Sequence, residues 1–97
     1  MSFACSYEVP ADEQLYRRVK SEIGEEQPSG LIVHLVVKSE GGLRHIGVWE
    51  SEDHWARFRD GRVRPAVGRV LAAAGIPDAP PPPDEQVLDV VDVLTRA

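Results

Sequence analysis

The side chains best suited to chemistry near neutral pH are His34, His45 and His54, with Tyr7 and the single cysteine, Cys5. His34 stands inside the apolar run "LIVHLVV". A neutral imidazole there can serve as a general base near pH 7. The alternative is a buried histidine hydrogen-bonded to a carboxylate or to its mate in a dimer. Tyr7 can lend a phenol to a substrate carbonyl or quinol, or it can be a core ring with its hydroxyl at an edge. His45 and Trp49 lie four apart in "LRHIGVW". Together with Trp55 and Phe58 they can wall a site for a small, flat aromatic molecule, or simply fill the core. His54 falls on the first turn of a helix and reads as a surface residue. No two histidines stand at i,i+4 and no His-x-His occurs, so no metal is expected. Cys5 has neither an evident base nor a helix start nearby, which argues against a nucleophilic thiol. No Gly-rich phosphate loop, Cys-x-x-Cys pair or nucleophile elbow is present, and no cofactor is expected.

These residues must be positioned by a small number of elements. Residues 2–9 alternate Phe3, Cys5, Tyr7 and Val9 with smaller or polar residues, which predicts a strand. Pro10 suits the first turn of a helix. Acids early and bases late in "ADEQLYRRVKSEIG", with Leu15, Val19 and Ile23 on one stripe, predict that helix, and Gly24 its stop. "GLIVHLVVKSE" predicts a strand apolar, and so buried, on both faces. "LRHIGVWE" follows as its hairpin partner. Ser51 is a good N-cap. Trp55, Phe58, Val63, Val67, Val70, Leu71 and Ala74 outline the next helix, with a kink or break expected near 61–65 at Gly61 and Pro65 and an end at Gly75. The run Pro80 to Pro83 predicts a stiff spacer within a single domain spanning residues 1–97. "EQVLDVVDVLTR" predicts a last strand, in which Asp89 and Asp92 need partners if buried, or else mark a bulge or an exposed edge.

The order is β-α-β-β-α-β, an α+β ferredoxin-like antiparallel sheet with helices on one face. The hairpin leaves two registers open. With Gly41-Gly42 as a primed two-residue turn, His34 lies opposite Trp49 and shares a face with Lys38, His45 and Gly47. Gly47 then leaves a gap between His45 and Trp49. With a three-residue turn, His34 faces Val48 and Ile46, and His45, Gly47 and Trp49 join Val33, Leu35 and Val37.

A chain of 97 residues buries only about 60–65% of its unfolded surface, so a lone monomer would be marginal. The face without helices needs a cover, most simply a second copy in a two-fold homodimer. The net charge of −5 disfavours nucleic acid and anionic membranes as partners. The arginines between Arg57 and Arg69 recur at helical spacing and read as a solvated face. One cysteine, no signal-peptide pattern and no long apolar run predict a cytoplasmic protein.

The phrase "GVWESEDHWARF", the following "RVRPAV" and the element order resemble the dimeric α+β barrel superfamily, nearest its antibiotic-biosynthesis-monooxygenase-like (ABM-like) domains. Those often carry a strand ending in Trp-Glu-Ser or a variant, an aromatic helix start and an Arg-x-Pro. The likeness covers nearly the whole chain in element order, and in residues only the stretch from 43 to about 67. It implies a dimer whose sheets face each other as a barrel, with a cavity in each protomer between sheet and helices. It further implies either a cofactor-independent monooxygenase-like enzyme acting on a phenol or quinol, or a non-catalytic ligand-binding or stress-related dimer. In the oxygenases of that group the deprotonated substrate itself reduces O₂. Haem-degrading members carry an Asn on the first strand and a Trp and a His on the second helix. Here the first strand has no Asn, and the other two places hold Phe58 and Gly68, so haem degradation is not expected.

Overall fold

The computed structural model describes residues 2–76 and 81–95. Its elements are β1 (Phe3–Val9), α1 (Glu13–Ile23), β2 (Leu31–Ser39), β3 (Gly42–Trp49), α2 (Glu52–Phe58), a π-helical segment (Arg59–Val63), α3 (Arg64–Ala73) and β4 (Gln86–Leu88). The strands form one antiparallel sheet in the order β2-β3-β1-β4. This is the α+β split expected from the pattern. No helix among the described residues is long and apolar enough to cross a membrane.

The helices begin where their side chains can satisfy free backbone donors. The Asp12 carboxylate accepts from the Leu15 N–H at 2.8 Å, so α1 starts at Glu13 and Pro10 stays outside it. Ser51 Oγ accepts from the His54 N–H at 3.2 Å and opens α2. The second helical stretch does not break near 61–65. It widens: the Arg64 N–H donates to the Arg59 carbonyl five residues back, and Pro65 then falls in the first turn of α3, the helical position that best tolerates its missing N–H. Gly75, at φ +82°, closes α3. Its N–H donates to the Ala72 carbonyl and that of Ile76 to the Leu71 carbonyl, the crossed pair of a Schellman cap.

The hairpin turn is Glu40-Gly41, one residue earlier than Gly41-Gly42. Neither turn residue has positive φ, so the turn is not a primed one. The Glu8 carboxylate on β1 holds it, accepting from Ser39 Oγ at 2.6 Å and from the Gly41 N–H at 3.3 Å. Gly42 belongs to β3 at φ +139°. A Cβ there would stand 2.2 Å from the Val9 carbonyl oxygen.

Two further expectations change. β2 is an edge strand, and its helix-free face is open in the single chain: Val33, Leu35 and Val37 are 43%, 47% and 39% exposed. It is therefore not buried on both faces. β4 is only three residues long, so Asp89 and Asp92 lie beyond it in the open and need no buried partner. The arginines pair with other acids: Arg57 with Asp53, Arg64 with Asp60 at 3.4 Å, and Arg69 with Glu22 at 3.3 Å. Pro80 lies outside the described residues, and Pro81 to Pro83 have no regular structure.

Candidate functional site

The odd-numbered residues of β1 and β3 point toward the helices, and with them Leu31 and, beyond the register shift between Leu31 and Val33, the even-numbered residues of β2. The core on this side is Cys5, Trp49 and Trp55, with Phe3, Tyr7, Leu31 and Phe58 packed against it. Trp49 lies 5.5 Å from Trp55 and 5.4 Å from Phe58, ring centre to ring centre. Trp49 and Trp55 are buried. The gap expected at Gly47 is closed by Trp49, whose Nε1 would be 2.9 Å from a Cβ built on Gly47.

His45 pairs across the sheet with Tyr7, and their rings stack at 4.8 Å with an interplanar angle of 9°. Tyr16 on α1 meets His45 edge-on at 5.6 Å. Tyr7 also stacks on Trp55 at 5.7 Å. His34 pairs with Gly47 and His45 with Val36, so the two histidines are diagonal neighbours. Because Gly47 has no side chain, the rings can close on each other, and His45 Nδ1 stands 3.4 Å from His34 Nε2. The shared face is that of the two-residue-turn alternative, with each pairing displaced by two residues.

Burial, then the neighbouring His34, lowers the His45 pKa to about 4. The His34 pKa is lowered by desolvation and by Lys20. The His34 residue surface is nonetheless open at the sheet edge, so the effect there is the weaker one. Both rings are therefore neutral at pH 7. Two neutral imidazoles in contact share one N–H. Whichever ring donates it, one outer nitrogen carries a lone pair and the other an N–H. The pair can thus take a proton at one outer nitrogen and release one at the other. Tyr7 is pushed up well beyond its ordinary value, first by burial and then by Cys5, Glu85 and Tyr16, and remains a phenol. Burial, reinforced by Glu85, raises Cys5 to about 11, so the thiol stays protonated and inert.

His54 is apart from this group. Its Nδ1 lies 2.6 Å from Ser51 Oγ, and its ring covers Gly30, where a Cβ would meet it at 2.3 Å. Among the described residues no group of three or more His, Cys, Asp or Glu side chains converges in the manner of a metal site.

Four nearby residues went unread in the sequence. Tyr16 and Lys20 come from α1, where Tyr16 merely flanked the apolar stripe. Arg59 and Glu85 form an ion pair at 3.2 Å beside Trp55, whose Nε1–H donates to Glu85 Oε1 at 2.9 Å. Glu85 gave no signal, because it sits between a proline run and a strand. Two open depressions occur among the described residues, the larger on the helix-free side of the sheet, where Ser6, Glu8 and Arg44 point. One, of about 380 Å³, is lined by Ser6, Glu8, Arg44 and residues 83–86. The other, of about 170 Å³, is lined by Pro28, Ser29, His54, Arg57, Phe58 and Arg62. Neither is lined by the histidine pair.

No family model matches the sequence, and no curated protein matches it. Among solved structures, the chain is similar to a mutant of SnoaB, a cofactor-independent oxygenase from Streptomyces nogalater. The TM-score is 0.52 at 14% identity, over 96% of this chain and 94% of that one. The chain shares the fold of that structure. A second SnoaB structure aligns over the same shares of the two chains, with 16% identity and a TM-score of 0.44. At such identities the likeness concerns architecture, and chemistry has to be argued from the residues above.

Proposed function

We propose that the chain is a cofactor-independent, monooxygenase-like enzyme acting on a small, flat phenol or quinol. The observation that carries this reading is the His34–His45 pair, neutral at pH 7, stacked on Tyr7 and open to solvent at His34. The fold shared with a cofactor-independent oxygenase supports it at the level of architecture. In this reading a substrate hydroxyl gives its proton to the free nitrogen of the pair. The resulting phenolate is the reductant for O₂. Tyr7, itself stacked between His45 and Trp55, supports the pair from below. Their fixed geometry, rather than any bound group, lowers the barrier.

The test is oxygen uptake with a model quinol. His34→Ala removes the accessible half of the pair and is expected to lower kcat/KM at least ~10-fold. Equal rates would take His34 out of the mechanism.

A second reading is a non-catalytic ligand-binding or stress-related dimer. Its support is that Trp49, Trp55 and Phe58 fill the sheet–helix interior.

Both readings include a homodimer. The open face of β2 presents Val33, Leu35 and Val37, an apolar strip that a monomer would leave in water. A second copy is the proposed cover. Leu35→Glu would place an unpaired charge in that interface, and it is expected to raise the dimer dissociation constant by roughly 100-fold. Sedimentation measures this, and a monomeric wild type would contradict the dimer.

A further inference from the structure

The smaller depression carries charge of one sign. Its walls are Pro28, Ser29, His54, Arg57, Phe58 and Arg62, with two guanidiniums and no acid among them, in a chain of net charge −5. An anion seated there meets the two arginines at close range, while charges beyond about 8–10 Å are largely screened. The π-helical segment builds this wall. In an α-helix, residues five apart diverge by about 140° around the axis. The widened turn over Arg59–Val63 carries Arg62 back to the side of Arg57, so that both line one depression.

Arg62 is held in place. Its Nη2 donates to the Ile23 carbonyl at 3.0 Å, and its guanidinium lies 5.2 Å from the Phe58 ring centre. Among the described residues it pairs with no acid, so its Nε and Nη1 can serve a ligand. The His54 ring is fixed as well, with Nδ1 2.6 Å from Ser51 Oγ, which leaves Nε2 as its other polar atom. Ser29 adds an exposed hydroxyl. Arg57 is the adaptable member. It pairs with Asp53, but these side chains are 74% and 65% exposed, and a pair so exposed holds it weakly.

Donors on several walls suit an anion whose oxygens point in several directions, and the guanidinium fork matches phosphate oxygens two at a time. We propose that this depression, of about 170 Å³, binds a phosphate group, either the free ion or the terminus of an aromatic phosphate monoester. Arg62 is its fixed anchor, and Arg57 turns from Asp53 onto the bound group. Pro28 and Phe58 give the site an apolar wall. The histidine pair does not line it, and the inference stands apart from the oxygenase reading.

The test is calorimetric titration of the whole chain with inorganic phosphate and, separately, with phenyl phosphate, in chloride at constant ionic strength. One site per chain is expected. Tighter binding of phenyl phosphate assigns the monoester, and equal or tighter binding of inorganic phosphate assigns the free ion. Arg62→Gln is expected to weaken binding at least ~10-fold, and Arg57→Gln by less. Arg18→Gln, which removes an exposed charge from α1, should leave the affinity unchanged. Should Arg62→Gln fail to fold, Arg62→Lys keeps the charge, loses the fork and is expected to bind more weakly than wild type. No saturable binding of either compound, wild-type affinity in the Arg62 variants, or an equal loss in Arg18→Gln would overturn the proposal.

Discussion

Gly42→Ala is expected to destabilise the chain by about 3 kcal/mol or more, a large share of the ~5–15 kcal/mol that holds a typical domain together. Two costs add. At φ +139° a Cβ is strained whatever its surroundings, which costs on the order of 1–3 kcal/mol. The new methyl would also stand 2.2 Å from the Val9 carbonyl oxygen and 2.9 Å from Pro10 Cα and the Ala11 nitrogen, all main-chain atoms that no side-chain rotation can clear. Overpacking of this kind costs about 1–3 kcal/mol more. Relief would require β1 and β3 to part at Val9 and Leu43, only two pairs from Tyr7 and His45. The stacking of Tyr7 on His45 should weaken with it. Gly61→Ala is the control, because nothing lies within 4 Å of its added Cβ. Urea denaturation should show a lower midpoint with an unchanged slope for Gly42→Ala and little change for Gly61→Ala. Equal midpoints for the two would refute the close approach.

A second large effect is expected on acidification. The His45 pKa falls from an ordinary 6.5 to about 4 on folding, through burial and then His34. Between those values the unfolded chain binds the proton and the folded chain does not. Stability is therefore full above pH 6.5, declines as the pH drops toward 4, and below that changes no further on account of this residue. A shift from 6.5 to about 4 corresponds to at most about 3.4 kcal/mol, and solvent screening at a partly exposed ring reduces this to roughly 2–3 kcal/mol. His34 pushes in the same direction. The groups around His45 are Tyr7, Tyr16 and His34, none of them an acid that could compensate its charge. Glu8 and Asp60 have lowered pKa values and add an acid limb of their own below the carboxylate range. His45→Gln should flatten the stability curve between pH 6.5 and 4.5 and leave that lower limb in place. A wild-type curve already flat over that interval would show that His45 is not held neutral.

Much of this fold is legible in short stretches of sequence. Asp12 and Ser51 are caps that each act on the backbone three residues ahead, and Gly75 ends a helix through its own φ, so each can be read locally. What escapes is set by distant contacts. The hairpin turn falls at Glu40-Gly41 because Glu8, some thirty residues earlier, binds it, and because Gly42 is needed against Val9 rather than in the turn. The π-helical turn that absorbs Pro65 cannot be told from a break by periodicity, since both interrupt the same stripe. His34 looked like a core residue because its strand is apolar throughout; the sheet order puts that strand at the edge. Of the proposed site residues, Tyr7, His34, His45, Trp49, Trp55 and Phe58 do share one side of the sheet. The Glu85–Arg59 pair was out of reach, because it joins the two sides of the proline run.

The central claim is that the histidine pair turns over a flat phenol or quinol without a cofactor. Oxygen uptake by the wild-type chain, freed of metals by chelation and supplied with a hydroquinone between pH 5 and 8, tests it directly. Uptake above the protein-free blank is expected at each pH, because burial lowers His45 to about 4 and keeps that ring neutral across this range. Uptake equal to the blank throughout, across a panel of flat phenols and quinols, would contradict it and leave the non-catalytic dimer as the better reading.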